Sequence, residues 1–82
     1  MTDAQERVPL IVPQMGVVEE VLVIEWLVDT GSRVVAGQEV VVVETEKAEV
    51  VLEAPASGML DITVGVADYE IPVGTALAYI SP

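Results

Sequence analysis

Only one side chain of this 82-residue protein carries a primary amine, that of Lys47. It lies in Val41-Val42-Val43-Glu44-Thr45-Glu46-Lys47-Ala48-Glu49-Val50-Val51-Leu52, where two apolar, β-branched runs flank a short polar bridge. Runs of this kind with polar residues between them read as the two strands of a hairpin. The bridge has no Asn-Gly or Asp-Gly pair, the signature of the tightest hairpins, which leaves its turn type open. On this reading Lys47 stands at the hairpin tip with its amine in water. A lone side-chain amine on a protruding turn suits one covalent attachment. The competing reading is a solvated turn lysine, since most lysines lie at the surface.

Composition removes most other chemistry. The chain has no histidine, hence no usual general base, zinc ligand or near-neutral pH switch, and no Ser-His-acid hydrolytic set. It has no cysteine, so neither a disulfide nor a thiolate metal site can staple it. Fourteen acids against three bases give a net charge of −11. A surface so acidic repels phosphate backbones and anionic membranes, so neither nucleic acid nor membrane is expected as a partner. The same charge favours solubility. No apolar run approaches the ~18 residues of a membrane span. The opening Met1-Thr2-Asp3-Ala4-Gln5-Glu6-Arg7 has no apolar segment of signal-peptide type. The expectation is a soluble cytoplasmic protein or a domain cut from one.

Holding that lysine falls to a small scaffold. The length argues one domain, with residues 1–7 as a flexible polar lead-in and residues 8–82 as the folded unit. A domain of this size needs an efficient core, and Val, Ile, Leu and Ala supply it. Strands are expected at Val8–Val12, Val21–Trp26, Arg33–Val35, Glu39–Glu44, Glu49–Glu53, Met59–Val64, Ile71–Val73 and Ala76–Ile80. Pro9 confines the first to an edge or an early strand position. Turns rich in Gly and Pro separate the strands, with Gly16, Gly31, Gly37, Gly58 and Gly74 as turn glycines. No segment sustains a helical period, so the pattern indicates an all-β sandwich or barrel. Trp26 reads as core or as a covered ring, and Met15 and Met59 as core fillers.

An internal repeat sharpens the fold. From Leu22 onward the two halves match at an offset of 37: Leu22 with Met59, Leu27 with Val64, Val34 with Ile71, Gly37 with Gly74, Val40 with Leu77 and Val42 with Tyr79. Earlier, Pro13-x-x-Gly16 matches Pro55-x-x-Gly58 at an offset of 42, which leaves five extra residues in the first half, placed at Val17 to Val21. The repeat implies two four-stranded halves related by an approximate two-fold axis, each with an apolar face that needs the other. The Lys47 bridge joins the halves, and the five-residue insertion, carrying Glu19 and Glu20, is expected as a loop at the same end.

Glu44-Thr45-Glu46-Lys47-Ala48 followed by Ala54-Pro55-Ala56-Ser57-Gly58 resembles the lipoyl domains of 2-oxo acid dehydrogenase complexes. Glu25-Trp26-Leu27-Val28 with Gly31, and Val73-Gly74-Thr75 with Leu77, are similar to the same family, so the resemblance spans nearly the whole chain. It implies a flattened barrel-sandwich hybrid of two four-stranded antiparallel sheets with quasi-two-fold symmetry. It also implies a non-catalytic carrier, monomeric as an isolated domain, in which Lys47 bears lipoate in amide linkage. Its expected partners are a lipoylating enzyme, a thiamine-dependent 2-oxo acid decarboxylase that reductively acylates the lipoyl disulfide, an acyltransferase core, and a dihydrolipoyl dehydrogenase that reoxidises the dithiol. By the same resemblance Glu46 and Ala48 flank the lysine in the motif, Glu44 and Glu49 are further recognition candidates, and Glu19 and Glu20 belong to a loop that helps the decarboxylase choose its carrier. A solvated acidic rim is the alternative reading for each of these acids. An organellar complex would place the domain in the mitochondrial matrix.

The related biotinyl domains share the fold, but their attachment lysine usually sits between two methionines. Glu46 and Ala48 occupy those positions here, which favours lipoate over biotin. Three departures from the lipoyl pattern are present: Glu46 where Asp is usual, and Val21 and Asp68 where Gly is usual. An unmodified interaction module of the same hammerhead shape is the third possibility.

Overall fold

The computed structural model describes residues 6–82, so most of the expected lead-in lies outside the described residues. Eight strands follow in order: β1 (Val8–Ile11), β2 (Glu20–Trp26), β3 (Arg33–Val34), β4 (Glu39–Glu44), β5 (Glu49–Glu53), β6 (Gly58–Ile62), β7 (Ile71–Pro72) and β8 (Ala76–Ser81). They form two four-stranded antiparallel sheets, β1-β8-β6-β3 and β5-β4-β2-β7. This is the all-β sandwich that the strand pattern predicts.

The sheets do not coincide with the halves of the chain. Each takes two strands from the first half and two from the second. Exchanging β1 with β5, β2 with β6, β3 with β7 and β4 with β8 turns one sheet order into the other. The repeat therefore relates two interlocked sheets rather than two self-contained halves. The physical reason is edge satisfaction: interlocking makes β2, β4, β6 and β8 central strands with a neighbour on each side, and leaves the others at the edges. Hydrogen bonds obey the same exchange. Gly37 N–H donates to Ala54 O at 2.9 Å and Gly74 N–H to Val12 O at 2.9 Å. Ala54 N–H donates to Gln38 O at 2.8 Å and Val12 N–H to Thr75 O at 3.0 Å.

The core between the sheets is aliphatic. Val12, Val34, Val40, Val41, Val43, Leu60, Leu77, Ala78 and Ile80 have no accessible surface, and no polar or charged residue is buried among the described residues. β-Branched residues suit this pleated, two-faced packing. Repeat partners share their environment: Val34 and Ile71 are buried, as are Val40 and Leu77. Met15 packs against the core, but Met59 does not fill it. Gly58 and Leu60 point inward on β6, so strand alternation turns Met59 out, 46% exposed. Trp26 is a half-buried ring whose Nε1–H donates to Val64 O at 2.9 Å, a bond between the halves. β6 ends at Ile62, two residues earlier than the pattern predicts, because Thr63 and Val64 both donate to the Leu77 carbonyl as the chain turns away.

All five turn glycines have positive φ, and Gly58 is the constrained one. It is buried at φ 152°, and a Cβ there would lie 2.7 Å from the Ser81 carbonyl carbon and run into its oxygen. At Gly37, φ 90°, a Cβ would meet nothing within 4 Å. Gly37→Ala therefore carries only the left-handed backbone cost, about 1–2 kcal/mol. Gly58→Ala adds a clash with β8 and is expected to cost roughly 1–3 kcal/mol more. Urea unfolding of the two variants measures the difference, and equal costs would refute the close approach of β6 to β8.

Candidate functional site

The hairpin that carries Lys47 is built by β4 and β5, whose register pairs Val42 with Val51, Val43 with Val50 and Glu44 with Glu49. Beyond that last pair, Thr45 N–H donates to Ala48 O at 2.8 Å, leaving Glu46 and Lys47 as the two residues of the bend. Two-residue hairpins usually take mirror-image turns that require positive φ. No non-glycine residue here has positive φ, and the Thr45 side chain supplies the alternative. Its Oγ1 accepts from Lys47 N–H at 3.2 Å and from Ala48 N–H at 3.1 Å, and its hydroxyl donates to Ala48 O at 3.0 Å. A threonine hydroxyl thus bonds the local backbone in place of the usual turn carbonyl. That answers the turn type the bridge sequence leaves open.

Lys47 is exposed at this tip, with Glu46, Ala48, Glu44 and Glu49 exposed around it. Among the described residues the one salt bridge joins Arg7 to Asp61 at 3.3 Å, so no ion pair there engages the lysine. The amine is reachable from solvent on every count given by the described residues. Such an amine, deprotonated, can attack an activated carboxyl carbon, and the tip fits a covalently held group in that respect.

Beside the hairpin runs a groove of about 490 Å³ lined by Val17, Val18, Glu19, Glu20, Val21, Leu22, Glu44, Thr45, Glu46 and Glu70. The loop that contains the insertion therefore does lie at the hairpin end. It is held by Val18 N–H to Met15 O at 3.1 Å and by Val73 N–H to Glu19 O at 2.9 Å. Glu19 is in this loop, but Glu20 is not: it opens β2, paired with Pro72. Backbone pairing to β7 draws it into the sheet, one residue earlier than the apolar run suggests. Val17 is 84% exposed on the groove rim.

Glu70 is absent from the sequence-based candidates. It precedes β7, which pairs with the start of β2, and only that pairing sets it beside Glu20. A hydrogen bond with Glu70, and repulsion from its charge, raise the Glu20 carboxyl above its ordinary value, with slight desolvation and Glu19 adding to the shift.

The strand directions set the far end. β8 starts next to Thr75, at the groove end, and runs away from it to Ile80, the register partner of Val8. Arg7, Thr30, Gly31, Met59 and Asp61 gather there, with the Arg7 guanidinium 4.5 Å above the Tyr79 ring. The strand directions thus put the paired Val8 and Ile80 at the end away from the hairpin.

Two interlocked four-stranded sheets with an exposed lysine on the β4–β5 hairpin define an all-β sandwich with one side-chain amine displayed at its end. The family described as "Biotin-requiring enzyme", the biotin and lipoyl attachment domains, matches residues 8–80, and the chain belongs to that family. Two relatives narrow the comparison. The dihydrolipoyllysine-residue acetyltransferase component of the acetoin cleaving system of Cupriavidus necator is 34% identical over 76 residues, which is 92% of this chain and 20% of the relative. The component of the same name from Pseudomonas putida is 42% identical over 55 residues, 67% of this chain and 15% of the relative. The chain thus spans a fifth or less of the length of each.

The carboxyl pair has a pH signature. With Glu20 raised above the ordinary 4.5, the contribution to stability is full below that value and declines as pH rises through the folded-state value. Glu70→Gln should return Glu20 toward its ordinary titration in a carboxyl NMR experiment. It should also flatten the pH dependence of the melting temperature, removing the stability that the wild type gains in acid relative to neutral pH. An unshifted Glu20 titration in the wild type would show that the two carboxyls do not meet.

Proposed function

We propose that this chain is a lipoyl carrier domain, with Lys47 as the attachment residue and no catalytic step of its own. The observation that carries the reading is the lone lysine amine, exposed on the β4–β5 bend and unengaged by any ion pair among the described residues. Membership of the attachment family supports it. The names of the two relatives, both dihydrolipoyllysine-residue components, support lipoate over biotin.

Lys47 performs the one bond-forming step. Its ammonium gives a proton to solvent, and the amine attacks the carbonyl carbon of a carboxyl-activated lipoyl donor. The amide C–N bond forms, the bond to the leaving group breaks, and a second proton leaves the nitrogen. Net charge passes from −11 to −12, and the cation at the acidic end disappears. Once attached, lipoate supplies a dithiolane that takes up acyl groups and reducing equivalents; the chain's residues hold it out and present it. Tethering raises the effective concentration of that group at successive active sites. With Val8 and Ile80 at the far end, connections made there keep the amine outermost.

The partners we propose are a lipoylating enzyme, a thiamine-dependent enzyme that loads the carrier, an acyltransferase core and a dihydrolipoyl dehydrogenase. Glu44, Glu46, Ala48, Glu19 and Glu20 are the proposed recognition residues, to which the groove adds Glu70. The relatives' names point to an acetoin-cleaving system as the particular complex, beside the 2-oxo acid complexes that the motif resembles.

Intact mass after expression with lipoate in a lipoylating host is expected to show one lipoyl addition, and Lys47→Arg to abolish it while the domain stays folded. A streptavidin-positive wild type would move the assignment to biotin. Full activity of the parent complex with Lys47→Arg would instead establish an unmodified interaction module.

A further inference from the structure

The hairpin tip raises a question that the attachment reading does not answer: what keeps Lys47 in one place. The bend contains no glycine, and its two residues do not take the left-handed conformation. The Ala48 N–H, which in a simple turn would reach the Thr45 carbonyl, bonds to the Thr45 hydroxyl at 3.1 Å. Lys47 N–H bonds to the same oxygen at 3.2 Å. The hydroxyl proton goes to Ala48 O at 3.0 Å. A hydroxyl has one donor and two acceptor positions, and all three are used at the residue that carries the amine and the one after it. The site is half-buried, with Lys47 fully outside it.

The tip gets little help from elsewhere. Glu44 and Glu49 are direct register partners, and like charges opposite each other push strands apart. Glu46, Lys47 and Ala48 are exposed and outside the aliphatic core. Local order at Lys47 therefore depends on the Thr45 network and on the Thr45 N–H to Ala48 O bond.

We propose that Thr45 is a positioning residue for the acylation of Lys47: its hydroxyl sets the backbone of the bend so that the amine is offered in one direction to the modifying enzyme. This rests on the carrier reading above. Because both amides are exposed to water when released, loss of the hydroxyl leaves the sandwich folded and loosens only the tip. Misplacing a nucleophile by about 1 Å can cost up to a hundredfold in rate, so a loosened tip is expected to cost on the order of tenfold.

The test uses the full chain, a lipoate–protein ligase, lipoate and ATP. Thr45→Val keeps the shape and removes the hydroxyl; Thr45→Ser keeps the hydroxyl. Thr45→Val is expected to lower kcat/KM for lipoylation on the order of tenfold. Its melting temperature should match the wild type, and the Lys47 and Ala48 amides should lose their protection from hydrogen exchange. Thr45→Ser should restore both the rate and the protection, a rescue that a purely volumetric role would not give. Lipoylation of Thr45→Val at the wild-type rate, or a Thr45→Ser no better than Thr45→Val, overturns the proposal while the carrier reading stands. A wild type that takes no lipoyl group overturns the carrier reading, and this inference with it.

Discussion

Neither half of this chain can bury its own valines. Each half has an apolar pattern but only four strands, one of them two residues long, and a half-domain of that size cannot remove enough surface from water to fold alone. The halves interlock instead, and every central strand finds neighbours from both. The cost of ordering the backbone is then met by one shared aliphatic core with no polar group inside it. All else follows from that shared burial. The hairpin exists because β4 and β5 belong to different halves yet pair in one sheet, and their connection must leave the sandwich at its end.

The two ends of the body differ in chemistry because the core tolerates no charge. The acids are pushed to the surface, and the strand directions bring Glu19, Glu20, Glu44, Glu46 and Glu70 to the hairpin end. Two of the three cations stand elsewhere: Arg7 is engaged with Asp61 and Tyr79, and Arg33 is the register partner of Met59. Lys47 is the one positive charge at the acidic end. Amide formation would remove it and leave a surface of a single sign there, which strengthens long-range attraction to a basic partner and repels an acidic one.

The order of the tip backbone rests on few contacts. The tip has no glycine, and the register beneath it places two glutamates face to face. One threonine hydroxyl with three hydrogen bonds takes the place of the missing turn bond. These hydrogen bonds are to the backbone, while Lys47 itself is exposed to solvent.

The amino-acid sequence alone determined the strand content, the two-fold repeat, the hairpin and the exposed lysine, because those are local or periodic features: β-branched runs, glycines between them, and one amine in a polar bridge. The family came from resemblance, carried by Glu44-Thr45-Glu46-Lys47-Ala48 together with Ala54-Pro55-Ala56-Ser57-Gly58. The interlocked sheet order was not legible, since a repeat states that two segments are alike and not which strands they pair with. For the same reason Glu70 and the opening of β2 at Glu20 went unseen: both depend on β7 lying beside β2. Met59 was misplaced because its facing is set by Gly58, whose close approach to Ser81 holds β6 in register with β8. The role of the Thr45 hydroxyl was hidden as well, because a side chain's choice of partner depends on the exact path of the bend. Local pattern chose the elements and the amine; which strands became neighbours, and so which acids surround that amine, was decided by the burial of the two halves against each other.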